Sequence, residues 1–505
     1  MLSPAFIPAS LILLVIATLL SLYTDFQFFS SSIAKDKISV VIFEFENFAN
    51  DIAQTANAAC GVSQNVFVFS DAFIYPPVDF TGVNCQVKVI EQHKSPFSSY
   101  IDHNFHHSIK SEYVLLIPDS TRINSTVSST LQAFFIDKLE HSQVDGLLFP
   151  VYSDDKTSSA VFTCRPLKFD VKRWTLHYFE REQSDDQSCE YIDNHQFTLL
   201  IRTEALFRLH SPFSRPFLKS FAIQSDIANL STALVEEKLF VKGPTELFIT
   251  DRQRSKHAHL EHHRTSKLYS QLGIKKVIIH HDDHHPQNTT HWHGCDRVKP
   301  RCFGTIIDDI PDYLIQRRWT PPCCLRNLET VGRYVLDLLS RFALRYWLEG
   351  GSLLGAARNG QIIEWDYDID VGIYREDAAK LPILRRLLDS EPGAQLEDGQ
   401  GFLWEKALEG DFVKVHYSPR NRVHIDIFPF EAVNGTMTKD TWLEGHPQDM
   451  PFPEHYLTPL TTINFIGIQA NAPNNVRAFL ELKFGAGVIE NAKYPRDMPS
   501  WDDRE

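Results

Sequence analysis

The 505-residue sequence is 43% apolar and 23% charged, the composition of globular protein, and it is too long for one typical domain, so a disordered chain is excluded. Its net charge of −14 argues against a broad grip on nucleic acid or anionic lipid, since both need clustered Lys and Arg. An anionic substrate would need a metal or a local Arg.

The stretch from Ala5 to Tyr23 (AFIPASLILLVIATLLSLY) carries no charged side chain and is long enough to cross a hydrocarbon core of roughly 30 Å. No Lys or Arg precedes it, and bulky Phe26, Phe28 and Phe29 follow it, so it reads as an uncleaved anchor more than a secretion signal. Lys35 and Lys37 come after the span, and the positive-inside rule alone would keep that side cytoplasmic. Acceptor triplets at Asn124, Asn229, Asn288 and Asn434 pull the bulk of the chain into the lumen instead. Residues 1–36 are therefore expected to be a cytoplasmic tip, anchor and linker.

From Lys37 the chain reads KISVVIFEF, a helical interval containing Ile52 to Ala59, then NVFVFSD, the strand–helix–strand pattern of a parallel α/β fold. The bursts YVLLIPD and GLLFPVY extend it through a first domain, 37–290. Strands ending at Asp71 and Asp119 bring to mind nucleotide-sugar sites of glycosyltransferases, but they read here as plain strand ends. Cys60, Cys85, Cys164 and Cys189 are either disulfides of an oxidising lumen, with three possible connectivities, or buried thiols. Ten of the 22 histidines gather between His257 and His293; a solvated linker or loop near residue 290 is expected there in preference to a metal-binding tract.

The remainder, 291–505, opens with an amphipathic helix from Cys324 to about Phe342. RYWLE reads as a strand, SLLGAARNG as a turn and short helix stopped at Gly360, Asp368–Tyr374 as a strand and Asp377–Asp389 as a helix. FLWEKA, DFVKVHYS and RVHIDIFPF supply further strands, and NNVRAFLELKFG closes the domain as a helix.

Within LEGGSLLGAARNGQIIEWDYDIDVGIY, Asp366, Asp368 and Asp370 alternate and so share one face of a strand that starts early enough. Three like charges there repel unless a cation sits among them, and oxygen ligands suit Mg²⁺ or Mn²⁺. Asp426 in RVHIDIFPF lies opposite Val423, Ile425 and Ile427 and could complete a three-carboxylate metal site with Asp368 and Asp370. Gly350, Gly351 and Ser352 would let a phosphate approach backbone N–H groups, and Arg358, one and a half turns on, could pair with it; Trp365 is grouped with these as substrate-binding. Cys295, Cys302, Cys323 and Cys324, with six, twenty and no residues between them, fit two disulfides or four thiolates around a structural Zn²⁺ equally well.

These segments, with FLWEKALEGDF, HIDIFPF, MTKDTWL and APNNVRAFLELKFGAGVIEN, resemble the fukutin family, most specifically its fukutin-related branch and more distantly the bacterial LicD choline-phosphate transferases. The resemblance runs from Cys295 to about Pro495. It implies an α/β protein with a membrane anchor, a glycosyltransferase-like stem domain and a nucleotidyltransferase-like catalytic domain carrying a zinc-binding loop over 295–324. It further implies transfer of ribitol 5-phosphate from CDP-ribitol to a ribitol phosphate already on the O-mannosyl glycan of α-dystroglycan. Mg²⁺ or a similar ion would sit on Asp368 and Asp370, with Asp366 and Asp426 supporting or basic. The expected setting is the Golgi membrane, single-pass type II, beside fukutin and other transferases, with a homo-oligomer possible. The rival expectations are transfer of another CDP-activated phospho-alcohol and a catalytically silent scaffold.

Overall fold

The computed structural model describes residues 37–492 except 71–72, 92–107, 124–135, 142–143, 154–161, 181–187, 193–195, 282–286, 295, 300–305, 308–309 and 443–445. The expected anchor, Asp71, Asn124, Cys295 and Cys302 lie outside the described residues. Among those described, no helix is long and apolar enough to cross a membrane. The chain divides into two compact units: Met1–Phe169, His177–Leu272 and Ile278–Thr289 form one, and Asp170–Leu176, Gly273–Val277 and Thr290–Glu505 the other.

In the first unit the apolar runs become β1 (Ile38–Phe43), β2 (Asn65–Ser70), β3 (Gln86–Glu91), β4 (Tyr113–Pro118), β5 (Gly146–Tyr152) and β6 (Phe197–Arg202), with α1 (Ile52–Ala59) after β1. β1 pairs in parallel with β2 and β4, and β2 with β3, whereas β6 runs antiparallel between β4 and β5. Every residue of β1 and β4 is buried, as unbroken apolar strands covered on both faces must be. The dispersed cysteines are the bridges Cys60–Cys85 and Cys164–Cys189.

One expectation for this unit is corrected. The histidines of KHAHLEHH lie in α2 (Asp251–Leu272), a helix whose buried residues are Leu268 and Tyr269, and not in a linker. The segment lacks an apolar period, yet it also lacks Gly and Pro, and its Arg, Lys, Glu and Gln content favours helix.

The second unit is built on α3 (Pro322–Arg341), β7 (Tyr346–Leu348), α4 (Gly350–Asn359), β8 (Asp368–Tyr374), α5 (Pro382–Leu388), β9 (Leu403–Lys406), β10 (Val413–His416), β11 (His424–Val433) and α6 (Val476–Phe484). The sheet order is β7-β8-β11-β10-β9. β8 and β11 are parallel, and the other neighbouring pairs are antiparallel. α3 begins with Pro322 in its first turn and buries Leu328, Val331, Val335, Leu336 and Leu339 in the core shared with Ile369, Val371, Ile425 and Ile427. The helix expected over Asp377–Asp389 is split into a 3₁₀ turn, Arg375–Lys380, and α5. Pro382 causes the break, because the residue before a proline is driven out of the helical region and Leu381 is extended at φ −113°, ψ 104°.

Candidate active site

The site grows from two loop-to-element junctions and one strand pair. Gly350 and Gly351 are not a turn before a helix, as their spacing suggested, but the first turn of α4 itself, entered through Gly350 at φ +51°. The Glu349 N–H donates to the Asp370 carbonyl at 3.0 Å, and the Asp370 N–H donates to Ser352 Oγ at 2.9 Å, so the head of α4 is tied to β8. A Cβ on Gly350 would lie 3.1 Å from Asp370 Oδ2, and one on Gly351 would lie 2.6 Å from Asp366 Oδ2. The glycines are thus the space in which two carboxylates stand.

The parallel register sets Asp368 opposite His424 and Asp370 opposite Asp426. On the far side of β11, Lys414 is opposite Asp426 and His416 opposite His424. Paired residues share a face, so three carboxylates, two imidazoles and an ammonium meet on one side of the sheet. Asp366 precedes β8 and is held from below: its carbonyl accepts from Thr320 Oγ1 at 2.7 Å, and the Tyr313 hydroxyl lies 2.6 Å from that same Thr320 oxygen.

Burial is the main influence on the acids, and their mutual repulsion adds to it. Desolvation, then Asp370, Asp366 and Asp426, push Asp368 well above the usual carboxylate range; desolvation, then Asp426 and Asp366, do the same to Asp370. Burial raises Asp366 to about 6, and it raises Asp426 although Lys414 opposes it. Asp426 is nearly buried, and its Oδ1 has no hydrogen-bond partner. An orphaned carboxylate oxygen among like charges fits a divalent cation, and one ligand atom each from Asp368, His424 and Asp426 lies within 4.8 Å of the others.

His424 and Lys414 were not singled out from the sequence. The signal was there in HID, where His424 alternates with Asp426, and in KVH, where Lys414 alternates with His416. Lys414 Nζ donates to Asp426 Oδ2 at 3.3 Å and to His424 Nε2 at 3.2 Å.

Other expected site residues are elsewhere occupied. The Arg358 guanidinium donates to the Val488 and Ile489 carbonyls at 2.8 and 3.2 Å and so braces the segment after α6. Trp365 is half-buried beside Asp366, 6.4 Å from the Trp319 ring between centroids. Cys323 and Cys324 are buried with Trp174, Tyr313 and Val423 and are disulfide-bonded, one of the two states their spacing left open. Asn229, Asn288 and Asn434 are exposed.

In the first unit Asp119 at the end of β4 is used internally, its carboxylate accepting from the Asp51 and Ser120 N–H groups at 2.9 and 2.7 Å. Glu46, His257 and Glu261 also come within metal-binding reach of one another, but Glu46 already pairs with Arg215 and Arg264. Burial alone would raise its carboxyl, and the two guanidiniums hold it below the ordinary value.

A glycine-headed helix facing carboxylates on two parallel strands defines a nucleotidyltransferase-like unit. The family described as LicD/FKTN/FKRP nucleotidyltransferase domain matches residues 343–475, and the fukutin-related protein stem domain matches 26–280. The chain belongs to the fukutin-related protein family. It is 37% identical to Ribitol 5-phosphate transferase FKRP of Mus musculus over 91% of this chain and 88% of that one. To the Homo sapiens protein of the same name it is 37% identical over 92% and 90%. Among solved structures, lincosamide antibiotic adenylyltransferase LnuA with lincomycin is similar at 19% identity and a TM-score of 0.21, over 32% of this chain and 86% of that one.

Proposed function

We infer that this protein is a transferase that moves ribitol 5-phosphate from CDP-ribitol to a ribitol phosphate on an O-mannosyl glycan of α-dystroglycan, releasing CMP. The observation that carries it is the β8–β11 register, which gathers Asp368, Asp370 and Asp426 beside Asp366 against the bare head of α4. Relatives that share 37% identity, over 88% and 90% of their length, are named ribitol 5-phosphate transferase.

In this reading the acceptor hydroxyl oxygen attacks the ribitol-bearing phosphorus, the bond to CMP breaks, and a carboxylate of the cluster takes the hydroxyl proton. A Mg²⁺ or Mn²⁺ ion held by Asp368, Asp370 and Asp426 would supply charge neutralisation for the diphosphate. Lys414, already bonded to Asp426, adds a cation on the same face. The unsatisfied N–H groups of the first turn of α4 offer donors to a phosphate oxygen. Ser352 keeps Asp370 fixed while this happens, and the Thr320–Tyr313 pair keeps Asp366 fixed.

The same reading puts the protein in the Golgi membrane with the second unit in the lumen, working beside fukutin. On the family resemblance alone, it also replaces the disulfide state of Cys323 and Cys324 in this structure with a structural Zn²⁺ on Cys295, Cys302, Cys323 and Cys324. Elemental analysis of the purified protein decides that last point: zinc at one equivalent supports it, and four oxidised cysteines without zinc remove it.

The activity is tested with Asp368→Asn. Acceptor-dependent CMP release from CDP-ribitol is expected to fall by roughly 10²–10³-fold or more with the fold retained, and release at the wild-type rate removes the assignment.

A further inference from the structure

Resting on the metal-site reading above, we propose that His424 is itself a ligand of the divalent ion, which makes the site a mixed nitrogen and oxygen site in place of an all-carboxylate one. Three independent features converge on it. The register puts His424 directly opposite Asp368 and two residues from Asp426, on their shared face. Its Nδ1 lies 2.9 Å from the Arg422 carbonyl oxygen, which only accepts, so Nδ1 carries the hydrogen and the Nε2 lone pair is turned into the cluster. That Nε2 stands 3.5 Å from Asp426 Oδ1, the buried carboxylate oxygen without a hydrogen-bond partner.

A metal-bound histidine is usually oriented by a hydrogen bond from its other ring nitrogen to a carbonyl or carboxylate, and the Arg422 carbonyl provides that support here. The side chains of His424 and Asp426 are each 7% exposed, so neither can swing away to solvate itself. Lys414 can: it is 29% exposed, and its contact with His424 Nε2 yields to the ion while its contact with Asp426 Oδ2 remains available. His416 is a different case: it is buried and its Nε2 lies 3.1 Å from Glu405 Oε2, which also accepts from Arg422, so it belongs to the Glu405–Arg422 network.

An imidazole ligand changes which ion the site prefers. Mg²⁺ favours oxygen and dehydrates reluctantly, whereas Mn²⁺ accepts nitrogen, so the chain is expected to bind Mn²⁺ more tightly than Mg²⁺. His424→Gln is expected to weaken Mn²⁺ binding by about tenfold or more, with a smaller loss for Mg²⁺.

The direct test is pulsed electron paramagnetic resonance of Mn²⁺ bound to the full-length, untagged protein, with histidine nitrogens as ¹⁴N in one sample and ¹⁵N in another. Expected is one histidine nitrogen coupling that changes with the isotope, survives His416→Gln and disappears in His424→Gln. Mn²⁺ bound stoichiometrically without a nitrogen coupling overturns the His424 assignment and leaves the carboxylate metal site standing. A coupling that persists in His424→Gln assigns the nitrogen to another histidine, such as His257, and also overturns it. No Mn²⁺ bound at all removes the metal-site reading together with this one.

Discussion

Gly351→Ala separates the site from the scaffold. The new Cβ would lie 2.6 Å from Asp366 Oδ2, and ordinary contact begins near 3.4 Å, so the carboxylate has to retreat by about 0.8 Å. Gly351 is not among the glycines with positive φ, and it lies inside α4, where Ala is favoured over Gly by roughly 0.5–1 kcal/mol. That gain offsets much of the strain of moving one flexible carboxylate, so stability is expected to change by no more than about 1 kcal/mol, or a melting shift within about 4 °C. Activity is different, because a misplacement of about 1 Å at a reacting centre costs on the order of 100-fold. Thermal melting and acceptor-dependent CMP release, measured on the same preparation, give both numbers. A variant with wild-type turnover refutes the claim that Asp366 is placed by the glycine. A variant that melts more than about 10 °C lower refutes the claim that the glycine serves the site and not the fold.

Further outcomes follow from the same geometry. The carboxylates of the cluster have raised folded-state values, Asp366 to about 6 against an unfolded value near 4, so without metal the folded state takes up protons first and stability rises on acidification. The advantage is fully present below about pH 4 and lost as pH rises through 6. The metal-free protein is thus expected to melt higher at pH 5 than at pH 7, and Mn²⁺ should reduce that difference; a flat profile in chelator contradicts it. Lys483→Met strands Glu349 next to Trp347, with the two charged side chains only 2% and 8% exposed, and is expected to cost about 3–5 kcal/mol in denaturant melts. Adding Glu349→Gln should restore most of that loss, and no restoration counts against a buried ion pair. Tyr313→Phe removes the hydroxyl shared with Thr320 and the Trp365 carbonyl, and a loss of about 1–3 kcal/mol is expected by the same melts.

Regular elements were legible where one period dominates. Asp368–Tyr374 and Gly146–Tyr152 have the bounds their patterns suggested, and Ile52–Ala59 is a helix inside the interval read as helical. The alternation of Asp368 and Asp370 gave their common face, and the apolar positions of RVHIDIFPF gave that of Asp426, whereas Asp366 stands before the strand begins. What was illegible depends on partners far away in sequence. Arg358 is spent on carbonyls about 130 residues later, which no local spacing reveals. His424 becomes notable only once the β8–β11 register sets it against Asp368. The helix α2 was missed because burial of Leu268 and Tyr269 alone leaves almost no apolar stripe to read.

The carboxylate cluster is proposed to transfer ribitol 5-phosphate. The most direct measurement is mass spectrometry of a ribitol-phosphate-primed O-mannosyl glycopeptide after incubation with the full-length protein and CDP-ribitol. Addition of a single ribitol phosphate, with one CMP released per addition, is expected from the wild-type chain and not from Asp370→Asn. Equal addition by Asp370→Asn, or none by the wild-type chain under conditions where another CDP-alcohol is transferred, contradicts the claim.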